Sequence, residues 1–552
     1  MNETTKKIVV VGASAAGLRC ACRVRRLQPD WSVKVVEANE VFSYGACGMP
    51  YVLSGDIEEI GVLRRTPYGT DRDADYFDTV KVVEVLAPWR ATAIDPEART
   101  LTIVSGDDKR ALEWDELVLA TGASHRVLPG QPEHDRIRAF HVWDDVKPLK
   151  IGLMRGEISK VAVVGAGLVG CEVAEAFASL WGADVTLIEA APNPLPEILD
   201  PELGAVVARH LESQDVRVVT GSPVERFEPD DEGVTIHAGG EEIRVDVAVV
   251  AVGVRPRVEL AVAAGISLGP TGAIRVDERL ATSVPHVWAA GDCAEVRHIV
   301  TGGPAYTPLG SLANRQGRVL GTLLAGGVGS FGPIAGAAAV KVFDLNVASV
   351  GCTAYRLGAD GQGVRSVWIS GEDRAHYWPE AKLILLGMVY DPASRRVLGV
   401  QGAGEEGEVA KRIDVAAQLI LREATIEDFI DLEHAYAPPY APALDPLTVL
   451  ACAAQNELDG IEAESPLMNL SSARVLDVRI DEEREERPVE GGSVVEIEIG
   501  DLRERVGEIP EGPLVVVCAH GTRSAEAVRF LAGRGIQARY LGGGMSWRSR
   551  AF

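Results

Sequence analysis

The stretch Lys7-Ile-Val-Val-Val-Gly12-Ala-Ser-Ala-Ala-Gly17 decides the fold of the N-terminal part of the chain. An apolar run enters a glycine-rich turn, which predicts a buried strand followed by the first turn of a helix. The next strand, Ser32-Val-Lys-Val-Val-Glu37, ends in an acid 20 residues beyond Gly17. Strand, turn, helix and terminal acid together are typical of a dinucleotide-binding unit, here with Ser14 in place of the middle glycine.

The turn formed by Gly12, Ser14, Ala15 and Gly17 is the expected phosphate-binding element. Its glycines let the backbone approach a pyrophosphate, and the N–H groups and dipole at the start of the helix favour negative charge. Glu37 is expected to accept hydrogen bonds from a ribose.

The same unit recurs 153 residues later, in Lys160-Val-Ala-Val-Val-Gly165-Ala-Gly167-Leu-Val-Gly170 and the strand that ends at Glu189. Two full units predict two bound nucleotides and electron transfer between two cofactors; the alternative is one site with a decayed duplicate. Glu189 is suited to bind a ribose 2′-OH and would repel a 2′-phosphate. The next two residues are alanines rather than arginine, so the pattern favours NADH over NADPH.

Three further apolar stretches lead into a glycine. Leu117-Val-Leu-Ala120-Thr121-Gly122 and Val247-Ala-Val-Val-Ala-Val-Gly253 each close a region that a dinucleotide unit begins. Val287-Trp-Ala-Ala-Gly291-Asp292 ends in an acid that is suited to bind the hydroxyl groups of a sugar-alcohol chain.

Composition excludes several classes of function. The chain has 55 Lys and Arg against 80 Asp and Glu, a net charge of −25, so phosphate backbones and anionic lipids would repel it. No apolar run approaches the roughly 20 residues that span a bilayer, and we expect a cytoplasmic protein with no nucleic-acid or membrane partner. Eight cysteines in 552 residues are too few for a disulfide framework, and their spacing predicts no metal site.

With both glycine turns, Ala120-Thr121-Gly122 and Gly291-Asp292, residues 6 to about 455 resemble the flavoprotein disulfide reductases with two dinucleotide-binding domains. The resemblance implies that the first Rossmann-like fold holds FAD and that the second, inserted into it, holds NADH. Asp292 would bind the ribityl chain of the flavin. The implied domains are an FAD domain over 1–150 and 255–330, an NADH domain over 151–254 and an α+β dimerisation domain over 331–455.

Cys47 follows the first unit, in a turn before a predicted helix. A cysteine at a helix N-terminus is expected to have a lowered pKa and to react as the thiolate. In the family this is the position of the redox thiol. Many relatives carry a second cysteine five positions later, where this chain has Val52, so the resemblance narrows to the single-thiol subgroup.

The single-thiol subgroup includes coenzyme A disulfide reductases, persulfide reductases, NADH peroxidases and water-forming NADH oxidases. The peroxidases and oxidases place a histidine where this chain has Ala15, which favours sulfur substrates over oxygen species. Arg23 and Ser43 resemble residues that bind CoA, although the arginines near residue 25 also fit a solvated helix face. Tyr436 and Tyr377 resemble tyrosines that reach the active-site sulfur of the partner subunit, which implies a homodimer with shared active sites; the alternative is that both are structural.

The C-terminal part has its own pattern. Residues 456–472 lose periodicity and are expected to be a linker. Residues 473–552 then resemble a rhodanese domain, with Asp477-Val-Arg479, Cys518-Ala-His-Gly-Thr-Arg523-Ser and Gly543-Gly-Met-Ser-Trp547. In such a loop the backbone N–H groups and Arg523 stabilise the Cys518 thiolate or persulfide. A purely structural module is the alternative.

Together the resemblances predict an α/β protein with two Rossmann-like domains, a dimerisation domain and a rhodanese domain. The predicted activity is NADH-driven, FAD-dependent reduction of CoA persulfide, polysulfide or CoA disulfide through Cys47, with Cys518 handling sulfane sulfur. An NADH oxidase or peroxidase, and a non-catalytic redox sensor or sulfur carrier, are the alternatives. The sequence does not choose among the sulfur substrates.

Overall fold

The computed structural model describes residues 5–359 and 363–552. The first part of the chain is built on a five-stranded parallel sheet. In spatial order its strands are Val287–Ala289, Glu116–Leu119, Lys7–Val11, Ser32–Val36 and Glu84–Leu86. Helix Ala15–Leu27 follows the strand that begins at Lys7 and packs on helix Gly310–Leu324. The carboxyl ends of the central strands meet at one edge, which is where ligands bind in open α/β sheets.

A second five-stranded parallel sheet repeats this arrangement. Its strands, in spatial order, are Val216–Val219, Asp184–Ile188, Lys160–Val164, Val247–Val250 and Ile137–Ala139. Helix Leu168–Ala178 follows the strand that begins at Lys160, as the second glycine turn predicts. Helix Met49–Ser54 from the first part packs against this helix, so the two parts meet directly behind Cys47.

The chain passes between the two parts earlier than the sequence indicated. Strand Ile137–Ala139 pairs with Val247–Val250, so the second sheet includes residues that precede 151, the boundary predicted from the sequence. The crossing runs through a two-stranded antiparallel ribbon of Ala123–His125 and Val254–Pro256. A strand of three residues carries too little periodicity to be recognised in the sequence.

Small sheets complete the first two parts. Two of them are three-stranded and antiparallel, formed by Arg90–Asp95, Thr100–Ser105 and Asp108–Glu113, and by Val224–Pro229, Val234–Ala238 and Glu241–Val245. Strands Val296–Arg297 and Pro304–Ala305 form a short ribbon.

The third part is built on an antiparallel sheet. In spatial order its strands are Ala338–Val342, Leu345–Gly351, Val397–Gly404, Leu383–Tyr390 and Arg365–Glu372. Helices Glu408–Ile420 and Pro446–Leu458 cover one face of this sheet. A sheet with its helices on one face is the α+β arrangement that was expected for this region.

The C-terminal part is a parallel sheet of five strands. In spatial order they are Ala463–Glu464, Ala538–Leu541, Leu514–Val517, Arg474–Asp477 and Ser493–Glu496. The edge strand Ala463–Glu464 falls inside the segment 456–472 that was expected to be a linker, so this stretch is partly built into the C-terminal sheet. Its two residues pair with Tyr540 and Leu541, a contact distant in sequence that no local pattern indicates.

The C-terminal part is anchored to both neighbouring parts through Trp547. This side chain is fully buried, meets Trp368 edge to face at a centroid distance of 5.3 Å, and donates from Nε1 to the Glu202 carbonyl oxygen. Glu202 lies on helix Pro201–Ser213 of the second part, and Trp368 lies on strand Arg365–Glu372 of the third. The fused module is therefore packed into the body of the protein.

The remaining α-helices are Ala74–Tyr76, Trp143–Met154, Glu259–Ala263, Ala354–Ala359, Ile426–Ile430, Asp481–Glu486, Leu502–Arg505, Thr522–Ala532 and Gly544–Ala551. Shorter helical turns are Ala46–Gly48, Ile60–Arg64, Phe77–Lys81, Leu470–Ser472 and Val506–Glu508. Within the described ranges 5–359 and 363–552, no helix combines the length and the apolar character needed to cross a membrane.

Candidate active site

The first glycine turn is closed so tightly that side chains are excluded at two positions. Gly12 has a φ of 110°, and a Cβ there would overlap the carbonyl oxygen of Ala120. A Cβ at Gly17 would overlap the carbonyl oxygen of Gly12. Ser14 precedes the helix that starts at Ala15, with its backbone extended. Only glycine fits these two positions, and the phosphate contact expected at this helix N-terminus stays a prediction.

Glu37 is fixed at the end of its strand. Its Oε2 accepts from the backbone N–H of Ala13 at 2.9 Å, and its Oε1 accepts from the backbone N–H and the side-chain amide of Asn39, both at 2.9 Å. The carboxylate is thus held at the mouth of the glycine turn, where the sequence predicts a ribose contact.

The second glycine turn has the same construction. Gly165 has a φ of 100°, and a Cβ there would lie 2.6 Å from the carbonyl oxygen of Ala251. A Cβ at Gly170 would overlap the carbonyl oxygen of Gly165, whereas one at Gly167 would meet no described atom within 4 Å. Glu189 accepts from the backbone N–H groups of Ala166 and Ala191 at 2.7 and 2.8 Å. The two turns differ in sequence but hold their acids in the same way.

The glycines that end the other predicted strands adopt positive φ angles. Gly122, Gly253 and Gly291 have φ values of 69°, 88° and 81°. Thr121 donates from Oγ1 to the Arg257 carbonyl oxygen at 2.7 Å, which ties the two strands of the crossing together. The N–H of Gly291 donates to Gln316 on helix Gly310–Leu324 at 2.7 Å, so this helix lies against the Gly-Asp turn.

Cys47 lies in the helical turn Ala46–Gly48, directly before helix Met49–Ser54, and the residue is exposed. Ser43, four residues earlier, is buried with a φ of 55°, a left-handed conformation that is uncommon for a residue other than glycine. Its N–H donates to the Ala13 carbonyl oxygen at 3.0 Å, which fixes the segment that carries Cys47 to the first glycine turn.

The expectation of a lowered pKa at Cys47 is wrong for the protein by itself. Partial burial of the sulfur raises the pKa of the Cys47 thiol, and the negative charges of Glu172 and Asp292 raise it further. The turn before Met49–Ser54 is short, and its backbone hydrogen bond opposes these effects only in part. Two acids thus act on Cys47 through their charges. Glu172 comes from the second part, and Asp292 comes from the Gly-Asp turn of the first part.

Glu172 is a site residue that the sequence reasoning missed. It is the fifth residue of helix Leu168–Ala178, two residues beyond Gly170 and directly after the first turn. Burial raises the pKa of Glu172 to about 7, with a contribution from Glu175. Tyr51 on the neighbouring helix has a pKa raised to about 12 by burial and then by Glu172. The acid immediately after the glycine turn was the available sequence signal.

Asp292 has the environment expected of a residue that binds a polyol. Burial raises the pKa of its carboxyl to about 6, and no described residue contributes a hydrogen bond that lowers it. Tyr306 lies close enough for Asp292 to raise its pKa as well, and the buried Tyr306 hydroxyl has no hydrogen-bond partner among the described residues. A half-buried carboxyl and an unpartnered phenol close to Gly291 fit a ligand that carries several hydroxyl groups.

Arg23 lies on helix Ala15–Leu27 and donates from Nε to the Thr322 hydroxyl at 3.0 Å. Arg25 donates to the Trp31 carbonyl oxygen at 2.9 Å and closes the following loop, so its role is structural. Burial raises the pKa of the half-buried Cys22 thiol, and the charges of Lys81, Arg26 and Arg19 oppose this effect. Arginines at positions 19, 23 and 26 share one helix face, a spacing visible in the sequence.

Tyr377 and Tyr436 are brought together on the surface of the third part. Their side chains are 63% and 50% exposed, and the hydrogen bond that the Tyr377 hydroxyl donates to Tyr436 is the main cause of the raised pKa of Tyr377. Neither tyrosine is among the groups that shift the pKa of Cys47 in the same chain. The structure thus brings the two predicted tyrosines together.

Cys518 lies in the loop between strand Leu514–Val517 and helix Thr522–Ala532. Its sulfur accepts from the backbone N–H groups of Gly521 and Ser524 at 3.1 and 3.4 Å and contacts the Ser524 hydroxyl at 3.2 Å. This is the backbone cradle that the loop sequence predicts.

The positive charge expected from Arg523 is partly balanced. Arg523 pairs with Glu483 at 2.5 Å, although its pKa is also raised by Cys518, which places the guanidinium beside the loop. Asp477 and Arg479 form a buried ion pair at 2.7 Å, with each side chain 1% exposed. This pair fixes the carboxyl end of strand Arg474–Asp477, which lies beside strand Leu514–Val517.

Comparison with protein families identifies two regions of the chain. A family model described as pyridine nucleotide-disulphide oxidoreductase matches residues 6–311, and the dimerisation domain of the same class matches residues 337–447. The chain is 34% identical over 453 residues to an NAD(P)H sulfur oxidoreductase (CoA-dependent) of Pyrococcus abyssi, a match covering 81% of this chain and 98% of that protein.

Two solved structures are similar over nearly the whole chain. The NAD-dependent persulfide reductase from A. fulgidus is 40% identical with a TM-score of 0.94, and the match covers 98% of this chain and 99% of that one. The reduced CoADR-RHD of Bacillus anthracis is 30% identical with a TM-score of 0.91, covering 99% and 98%.

Proposed function

Because this chain belongs to the pyridine nucleotide-disulphide oxidoreductase family, we propose that it uses NADH and FAD to reduce sulfur substrates through Cys47. The substrate class is CoA persulfide, polysulfide or CoA disulfide. The similarity to a CoA-dependent sulfur oxidoreductase and to a persulfide reductase supports this class. The observation that carries the proposal is the grouping of Cys47, an exposed residue with a partly buried sulfur, with the charges of Glu172 and Asp292.

The residues present fit the two cofactors. Around FAD, the turn from Gly12 to Gly17 would hold the pyrophosphate, Glu37 the ribose, and Asp292 the ribityl hydroxyls that its buried carboxyl lacks. Around NADH, the turn from Gly165 to Gly170 would hold the pyrophosphate and Glu189 the ribose. Bound together, the two cofactors supply a pair of electrons to the sulfur site.

Cys47 begins the reaction as the thiolate. It attacks one sulfur of CoA disulfide, the S–S bond breaks, a CoA thiolate leaves and a Cys47–CoA mixed disulfide remains. With a persulfide, attack on the outer sulfur releases the CoA thiolate and leaves the sulfur on Cys47 as a protein persulfide. Return of Cys47 to its thiolate consumes two electrons and releases CoA thiolate or HS⁻.

Glu172 is suited to manage the proton of this cycle. With a pKa raised to about 7, its carboxyl is divided between acid and carboxylate near neutral pH. Groups tuned to the working pH transfer protons most effectively. We assign Glu172 the role of holding a proton close to the Cys47 sulfur while thiolates form and leave.

Arg23 and Ser43 are assigned to CoA binding. Cationic side chains on the same helix face as Arg23 offer charge to the CoA phosphates on the side of Cys22. The exposed pair of Tyr377 and Tyr436 is assigned to the active site of a partner chain, so the functional unit is a homodimer with shared sites. The match to the dimerisation domain supports this assembly.

The C-terminal module is assigned to sulfane-sulfur handling as a rhodanese domain. Support comes from the cradle of N–H groups around the Cys518 sulfur, which suits a thiolate or persulfide anion. Solved structures that match nearly the full chain include this part as well. Cys518 would accept or relay sulfur that Cys47 finally reduces.

A substrate panel tests the proposal. The purified chain is assayed without oxygen for NADH oxidation by CoA disulfide, CoA persulfide and polysulfide, beside Cys47→Ser and Cys518→Ser. We expect turnover with at least one substrate, its loss in Cys47→Ser and its retention with the disulfide in Cys518→Ser. Fast NADH oxidation only in the presence of oxygen would instead support an oxidase, which Ala15 disfavours. Nucleotide binding without turnover would support a sensor or carrier.

A further inference from the structure

The loop that holds Cys518 touches a residue from outside its own module. Ser370 lies on strand Arg365–Glu372 of the third part and is buried. Its Oγ lies 2.6 Å from the carbonyl oxygen of Gly543 and 3.0 Å from Nδ1 of His520. His520 is two residues beyond Cys518, so this contact joins the sulfur loop to the neighbouring sheet.

Hydrogen-bond accounting fixes the protonation of His520. The Gly543 carbonyl oxygen can only accept, so the single hydroxyl hydrogen of Ser370 points to it. Ser370 Oγ then presents a lone pair to His520, and Nδ1 must carry the hydrogen between them. In a neutral imidazole this leaves Nε2 without a hydrogen.

The surroundings keep His520 neutral near pH 7. Burial lowers the pKa of its imidazole most, Arg523 and Arg487 lower it further, and Glu483 opposes them. His520 and Ala519 line a cavity of about 300 Å³ between the C-terminal module and the third sheet. The charged residues around this cavity are Arg479, Arg487, Arg550, Glu483 and Glu486.

We propose that His520, as its Nε2 base, accepts the proton of the low-molecular-weight thiol that takes sulfane sulfur from Cys518, and that Ser370 is its positioning residue. The inference rests on the proposed sulfane-sulfur role of Cys518. Nε2 takes the proton of the thiol while the thiol sulfur attacks the outer sulfur of the Cys518 persulfide. The S–S bond at Cys518 breaks, leaving the Cys518 thiolate and the persulfide of the acceptor.

The expected size of the effect follows from thiol ionisation. An ordinary thiol with a pKa of about 8.5 is only about 3% ionised at pH 7, so a base that removes its proton gains at most about 30-fold. At pH 9 most of the thiol is ionised already, and the base has almost nothing to add. A structural defect in the loop would instead slow transfer at both pH values.

The test uses the full chain in a Cys47→Ser background, so that Cys47 does not compete for the sulfur. Polysulfide loads the protein, mass spectrometry confirms the persulfide on Cys518, and transfer to glutathione is timed at pH 7 and pH 9. We expect His520→Gln to slow transfer about 10- to 30-fold at pH 7 and less than about 2-fold at pH 9. Ser370→Ala should give the same pattern with a smaller loss, and Ser370→Thr, which keeps the hydroxyl, should restore the rate at pH 7.

Ser366→Ala on the same strand is the matched control and should transfer sulfur as the background chain does. Equal rates in His520→Gln and the background, or equal losses at both pH values, would overturn the role of His520 while leaving the function of Cys518 intact. Failure of Cys518 to take up sulfur at all would overturn the proposed function of the module and this inference together. Thermal unfolding of each variant checks that the loop changes leave the chain folded.

Discussion

Replacing Glu172 by glutamine should make Cys47 more reactive, and only at high pH. The Cys47 thiol has a raised pKa in which the charge of Glu172 is the second largest cause after burial. That charge is present above the Glu172 pKa of about 7 and absent below it. Glutamine keeps the shape of the side chain and removes the charge at every pH.

The magnitude follows from the interaction of two charges. At 4 Å a pair of unit charges interacts by about 1 kcal/mol in water and by about 4 kcal/mol at the dielectric typical of a protein surface. Both groups are partly buried, so their interaction exceeds the value in water, and about 1 kcal/mol already corresponds to about a fivefold change in thiolate fraction. We therefore expect alkylation of Cys47 to be at least about fivefold faster in Glu172→Gln at pH 8.5 and unchanged at pH 6.

The assay is the initial rate of iodoacetamide modification, with the adduct located on Cys47 by mass spectrometry and Cys47→Ser as the background. Glu202→Gln is the matched control, since Glu202 is also an acid with a raised pKa on a helix of the second part but does not act on Cys47. A ratio between variant and wild type that is the same at both pH values would refute the assignment of a neutral-range pKa to Glu172. No acceleration at pH 8.5 would refute its electrostatic contact with Cys47.

Three further changes test other parts of the account. Gly12→Ala places a methyl group against the Ala120 carbonyl oxygen, so the purified variant should show no flavin absorbance, whereas the wild-type protein should show it. Glu189→Ala removes the acceptor of two backbone N–H groups and the expected ribose contact; the ratio of kcat/KM for NADPH over NADH should rise about tenfold, and an unchanged ratio would contradict the assigned contact. Trp547→Ala removes a fully buried indole that packs on Trp368 and should destabilise the C-terminal part by about 3–5 kcal/mol, seen as earlier release of that part in limited proteolysis.

The repeated dinucleotide units were predictable because their signals are local. A strand, a glycine turn and a terminal acid lie within about 30 residues, and the steric exclusion at Gly12 and Gly165 leaves no other residue type. The edge strands Ile137–Ala139 and Ala463–Glu464 were not predictable, because three and two residues have no period and pair with strands far away in the sequence.

The sequence indicated the candidate reactive residues, because their chemistry depends on the residue type. It did not indicate properties that depend on neighbours from distant parts of the chain. Cys47 and Cys518 could be identified from their loops. The raised pKa of Cys47 comes first from burial and then from the charges of Glu172 and Asp292, which lie on other elements, so a helix-terminus argument from the neighbouring sequence gave the wrong direction. In the same way, the contact between Ser370 and His520 joins parts of the chain that are 150 residues apart.

The most direct test of the central claim is to trap the reaction on the sulfur itself. The purified chain is exposed to CoA disulfide without NADH and without oxygen, digested under non-reducing conditions and analysed by mass spectrometry. We predict one CoA per chain, attached to Cys47 and released when NADH is added. A CoA adduct confined to Cys22 or another thiol, or NADH-driven CoA release that persists in Cys47→Ser, would contradict the account.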